Sequence, residues 1–176
     1  MDCFFQAADL LFQKRLSPTG DAILASRKTF EKVNFNHVAL FISDCELIHA
    51  VDPGGVERIS LMDLLSSGQN IHVMRIKTLS QDEKNRVINK ALAQLGKPYD
   101  LAFCGATDAF YCSSFIQFLF PQYFDLQPMT FKDKQTQMFH PYWLEHFKKI
   151  GQAIPEGALG THPMGLFHSE YLSEVS

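Results

Sequence analysis

Cys112 sits in the run Asp108-Ala109-Phe110-Tyr111-Cys112-Ser113-Ser114-Phe115-Ile116, where a loop turns into an apolar helix. At a helix start the free backbone N–H groups and the helix dipole favour negative charge, and the thiolate is the nucleophilic form of cysteine. Upstream stand His37 and His49, twelve positions apart, on segments that read as neighbouring strands. A thiol nucleophile needs a base, and the base needs an orienting partner. The spacing offers Cys112 as nucleophile, His37 as base and His49 as the group that holds the His37 ring. The backbone N–H of Cys112 is a natural oxyanion donor, and the Tyr99 hydroxyl, thirteen positions earlier, is a candidate for a second. Each residue type also has a plain structural use: a small buried hydrophobe for Cys, a hydrogen-bonded strand group for His, packing for a Tyr that follows Pro.

The rival chemistry is thin. Cys104 precedes Gly105 and Ala106, which do not open a helix, and Cys45 reads as sheet core or hairpin loop. The four cysteines (3, 45, 104 and 112) show no C-x-x-C pair, so neither a structural zinc site nor a disulfide framework is expected. His140, His146, His162 and His168 are too scattered for a metal site and read as solvated or capping residues. No metal and no cofactor are expected.

Elements must position these groups. Ala8-Asp9-Leu10-Leu11-Phe12 reads as a short strand, and residues 19–31 as a helix with Ile23, Leu24 and Phe30 on its apolar side. His37–Ile42 and Glu46–Val51 are β-rich runs around a Ser43-Asp44 turn, and Asp52-Pro53-Gly54-Gly55 turns into a third strand over 56–61. One or two helical turns over 61–67 and a fourth strand over 70–76 follow. Ser80 and Glu83 make a capping box for a helix that stops at Gly96-Lys97-Pro98. A helix starts near Cys112 and ends near Pro121, with Phe115, Phe118 and Leu119 on its buried face. Phe120, Tyr123 and Phe124 are either core or the lining of a lipophilic pocket. Residues 142–151 form a helix with a Gly stop, and the tail from Ile154 reads as surface loop. The order of helix, antiparallel strands, then helices predicts an α+β fold.

Strand alternation sharpens the hairpin. For His37 to face His49, paired positions must sum to 86, which needs an odd loop centred on Ser43; a two-residue turn would put the imidazoles on opposite faces.

The chain has 176 residues, 46% hydrophobic and 20% charged, with a net charge of −3. That is enough for one domain, here taken as 1–176, and the acidic balance argues against a nucleic-acid partner. Sixteen Phe imply an aromatic core or a lipophilic patch. No apolar run is long enough to span a membrane, and Asp9, Lys14 and Arg15 break the N-terminal stretch, so a cytoplasmic protein is expected.

His37-Val38-Ala39-Leu40-Phe41-Ile42 with Leu47-Ile48-His49-Ala50 resembles the His-Val-Gly-Ile-Tyr-Ile … Ile-His-Ala signature of NlpC-type papain-fold cysteine peptidases. Leu95-Gly96-Lys97-Pro98-Tyr99 with Tyr111-Cys112-Ser113 resembles their Gly-x-Pro-Tyr … Asp-Cys-Ser signature. The usual order is reversed, which is similar to the circularly permuted YiiX/YaeF-like amidases. Ala8-Asp9-Leu10-Leu11-Phe12-Gln13 and the tail Ile154-Pro155-Glu156-Gly157 … Gly160-Thr161-His162-Pro163 are similar to the opening and ending of that branch. The resemblance implies a permuted papain-like α+β fold, with an antiparallel sheet packed on helices that include the nucleophile helix. It implies a Cys112–His37–His49 triad with Tyr99 beside it, and cleavage of amides in peptides of cell-wall type, such as γ-D-glutamyl amides. It also implies, as alternatives, a lipid-directed acyl hydrolase or acyltransferase of the lecithin–retinol acyltransferase kind, or a lipid-binding module. Ala39 and Ser114 stand where the family has Gly, and His49 stands where the permuted branch often has Glu, with Glu46 and Glu57 nearby.

Overall fold

The computed structural model describes residues 4–27 and 33–175. Phe30 and Cys3 lie outside the described residues. The first element is a strand, β1 (Leu10–Arg15), followed by α1 (Pro18–Ala25), whose N-cap Ser17 accepts from the Gly20 N–H. Then come β2 (His37–Phe41), β3 (Glu46–Val51), β4 (Gly55–Ser60), α2 (Leu61–Ser66) and β5 (Gly68–Ile76). The Ser80/Glu83 capping box opens α3 (Gln81–Leu92). Next are α4 (Cys112–Leu119), β6 (Gln127–Pro128), α5 (Pro141–Ile150), β7 (Leu159–Gly160), α6 (Pro163–Phe167) and β8 (Leu172–Glu174).

Six strands form one antiparallel sheet in the order β4-β3-β2-β1-β5-β8. The sheet separates two cores. Leu10, Phe12, Val38, Leu40, Ile48 and Ala50 face α4, whose Phe115, Ile116 and Leu119 cover them. Leu11, Ala39, Phe41 and Leu47 face the other way, onto Leu64 of α2. This is the period-2 alternation of a sheet buried on both faces. A third, aromatic cluster of Phe103, Tyr111, Phe131, Trp143 and Phe147 joins α5 to the loop before α4. The mixed α+β class and the antiparallel sheet agree with the sequence reading.

Two expectations need correction. The tail is not a surface loop: Met164, Leu166 and Leu172 are in the main core, and β8 closes the sheet against β5. Its Pro and Gly residues mark turns between short built-in elements, and tertiary pairing overrides the loop-like composition. The hairpin register also differs. Leu40 pairs with Ile48 and Phe41 with Leu47, so paired positions sum to 88, and the odd loop is centred on Asp44. The Ser43 hydroxyl accepts from the Cys45 and Glu46 N–H groups and holds that loop. The parity is as expected and the register is two residues off.

Candidate active site

The parity suffices to join the two histidines. They share a sheet face as diagonal neighbours on β2 and β3, and His37 Nε2 lies 2.9 Å from His49 Nδ1. Both are buried, at 4% and 1% exposure. Directly across from His49 on β4 is Glu57, whose Oε1 lies 3.4 Å from His49 Nε2. The Glu57 side chain is 46% exposed, so the line His37–His49–Glu57 runs over three adjacent strands from the interior to solvent. Glu46 does not join it; its carboxylate lies 3.8 Å from Arg58.

The contacts order the protons in this line. A carboxylate only accepts, so Glu57 selects the His49 tautomer with hydrogen on Nε2. His49 Nδ1 is then an acceptor and His37 Nε2–H its donor. That leaves His37 Nδ1 with a free lone pair, the state a general base requires.

Cys112 is the first residue of α4, with Tyr111 as N-cap in extended conformation. The thiol donates to the Asn36 carbonyl at 3.9 Å, beside His37 in sequence, and not to the His37 ring. Cys112 and His37 border the same small cleft of about 90 Å³, together with Arg15, Asn36, Asp52 and Tyr99. Asn36 locks its neighbour: it accepts from the Arg15 N–H at 2.7 Å and donates to the Arg15 carbonyl at 2.9 Å. Tyr99 lies between the cleft and a second cavity of about 700 Å³. Cys112 also borders both. The larger cavity is lined by Phe103, Tyr111, Phe124, Met129, Phe131 and Trp143 among others; Tyr123 also borders it, whereas Phe120 is core.

Electrostatics correct one expectation. The helix start alone argues for a thiolate, but burial pushes the Cys112 thiol up to about 11. The N–H groups of Val38 and Ser113, the Arg15 charge and the Cys112 N–H pull the other way and do not offset it. Burial, then the proximity of His49 and Arg15, holds His37 well below its ordinary 6.5. His49 is lowered by burial, partly opposed by its bond to Glu57. At neutral pH the Cys112 thiol and the His37 imidazole are both uncharged. Burial, and then the Cys112 charge, holds Tyr99 well above its ordinary value, so its hydroxyl keeps the proton an oxyanion donor must supply.

The other candidates lie elsewhere. Cys104 is exposed, with its thiol 3.8 Å from Asp100 Oδ1, and Cys45 is exposed in the hairpin loop. His140 and His162 cap α5 and α6 through the Tyr142 and Met164 N–H groups. His146 contacts the Leu101 carbonyl at 2.7 Å, and His168 follows α6 as its C-cap. Sequence reasoning missed Asn36 and Arg15. Adjacency to His37 hinted at the first; nothing in the sequence showed that the second would lack an ion-pair partner among the described residues.

A family model for the permuted papain-like amidase enzymes, YaeF/YiiX, C92 family, matches residues 6–176. The fold is similar to the crystal structure of the metalloprotein yiiX from Escherichia coli O157:H7, with a TM-score of 0.77 and 20% identity over 97% of this chain and 96% of that one. No curated protein matches the chain. Among the described residues, no three His, Cys, Asp or Glu side chains group as ligands for a metal ion, so the donor set does not fit one and no step below runs through a metal. No helix of the described residues is long and apolar enough to cross a membrane.

Proposed function

The chain belongs to the permuted papain-like amidase family, and on that premise we propose that residues 1–176 are one hydrolase domain that cleaves amides through an acyl-thioester on Cys112. Peptides of cell-wall type, such as γ-D-glutamyl amides, are the proposed substrates. The observation that carries the reading is the 2.9 Å bond between His37 and His49, backed by Glu57, which leaves His37 Nδ1 free beside the cleft that Cys112 borders.

His37 Nδ1 takes the thiol proton as Cys112 Sγ attacks the amide carbon. The carbonyl oxygen becomes an oxyanion and accepts from the Cys112 N–H and the Tyr99 hydroxyl. His49 accepts from His37 Nε2–H throughout and, with Glu57 behind it, favours the imidazolium that forms. That imidazolium protonates the leaving nitrogen as the C–N bond breaks. Water then gives a proton to His37, attacks the thioester, and releases the acid while the thiol regains its proton. In the resting structure the thiol is bonded to Asn36, so the thiol–imidazole contact forms when substrate is bound. Such tightening on binding is common at sites of this kind.

The same residues support a second reading, a lipid-directed acyl hydrolase or acyltransferase, because the cavity of about 700 Å³ beside Cys112 has an aromatic lining. Mass spectrometry of the intact protein tests both. Peptide amides and fatty-acyl esters are each incubated with the wild type, with Cys112→Ser and with His37→Ala. A hydroxylamine-labile adduct on Cys112 from the amides alone supports the amidase. Adducts from the esters alone support the lipid reading, and absence of any adduct rejects acyl transfer at Cys112.

A further inference from the structure

Two spaces meet at Cys112, and they differ in chemistry. The leaving nitrogen must receive its proton from His37, so the half of the substrate that departs lies on the His37 side. His37 borders the small cleft of about 90 Å³ and does not line the larger cavity. The acyl half that stays on sulfur therefore occupies the cavity of about 700 Å³ with its aromatic lining. This assignment rests on the amide-cleaving step proposed above and replaces its cell-wall peptides with a more apolar acyl half.

Among the described residues, the small cleft is lined by one cation, Arg15. Among the described residues the Arg15 guanidinium makes no ion pair and no side-chain hydrogen bond. It is half-buried, and its charge is felt at Cys112, His37 and His49. The wall that carries it is rigid. Its backbone is held on both sides by Asn36, and α1 approaches closely at Gly20, where an added Cβ would collide with the Asn36 amide. Ser17 and Thr19 supply further polar lining, and Asp52 is the one acid among the described residues there. A partly desolvated arginine without a partner is suited to a carboxylate, which it can engage through two parallel N–H bonds.

We infer that the substrate is an N-acyl amino acid: a bulky, largely apolar acyl group seated in the aromatic cavity, joined by an amide to a small amine whose carboxylate pairs with Arg15. Hydrolysis gives the free carboxylic acid and the amino acid, with one water consumed.

The test compares N-(4-phenylbutanoyl)glycine with N-(4-phenylbutanoyl)ethylamine, which share the acyl group and differ in the carboxylate. Wild type is expected to show kcat/KM for the glycine conjugate at least about tenfold higher. Arg15→Gln should abolish that preference, read as the glycine-to-ethylamide ratio within each variant, and Arg15→Lys should restore part of it. Calorimetric binding of the same two compounds to Cys112→Ala reads the cleft without chemistry. The glycine conjugate should bind about tenfold more tightly, and the difference should vanish in Cys112→Ala/Arg15→Gln. Equal affinities, a preference that survives Arg15→Gln, or no binding of either compound at millimolar concentration overturns the inference. A binding preference without any wild-type turnover upholds the carboxylate cleft and rejects the amidase reading instead.

Discussion

The resting state of Cys112 is open to direct measurement. Burial raises the thiol from an ordinary 9.0 to about 11. The sign follows: a raised thiol value means less thiolate at any pH below it. At neutral pH the thiolate fraction is then about one hundredth of that of an ordinary thiol. A more basic thiolate is also a better nucleophile, and with a Brønsted coefficient of ~0.45 the two-unit difference returns a factor of about eight. The net expectation is exchange roughly tenfold slower than a model peptide thiol, before any steric exclusion at 4% exposure. The assay is exchange with a small aromatic disulfide from pH 6 to 11, quenched and mapped by peptide mass, with exposed Cys45 and Cys104 as internal references. The Cys112 rate should climb with pH up to about 11. A Cys112 that reacts faster than the peptide at pH 7, or a rate that levels off below about pH 8, would mean a preformed thiolate–imidazolium pair and would refute the burial argument.

Three further outcomes are expected. Glu57→Gln removes the charge and leaves an amide that can donate as well as accept, so the His49 tautomer is no longer selected; kcat should fall about tenfold with KM unchanged, and nitrogen NMR should show the Nε2–H forms of His37 and His49 as the sole forms only while Glu57 is present. His37 and His162 are held below their ordinary 6.5 by burial, His162 to about 4. Groups depressed on folding give stability that is complete above pH 6.5 and is lost as pH falls through the folded values. His162 alone should cost roughly 3 kcal/mol by pH 4 in urea titrations. His162→Asn keeps a cap acceptor for the Met164 N–H and should flatten that slope; an unchanged slope would assign the loss to other groups. Finally, Gly55 has φ +76, and an added Cβ would collide with the Lys97 carbonyl oxygen. Gly55→Ala should therefore lower stability by about 2 kcal/mol and displace Tyr99, reducing kcat more than KM. A melting temperature within a degree of wild type would contradict the close packing of β4 on this loop.

Local patterns were legible to the extent that they are local physics. Ser80 and Glu83 cap α3 through bonds that span three residues, and Gly151 ends α5 in the left-handed conformation. Alternation around the Ser43–Cys45 loop decided that His37 and His49 share a face, because side-chain parity depends only on an odd or even loop. The same pattern could not decide the register: sums of 86 and 88 keep the same parity, and the hydrogen bonds to the Ser43 hydroxyl select the second. The segment from Ile154 was misread because β8 is short and gains its order by pairing with β5, a contact far away in sequence.

By itself the sequence determined the elements, the shared face of the two histidines, and the cysteine at a helix start in the order of a permuted family. Only the tertiary structure decided that Cys112 rests as a thiol, that Glu57 and not Glu46 stands behind His49, and that Arg15 has no ion-pair partner among the described residues. Residue type and spacing set what a group can do. Its charge state and its partner depend on burial and on the strands that come to lie beside it, and these are properties of the assembled sheet and the helix packed on it.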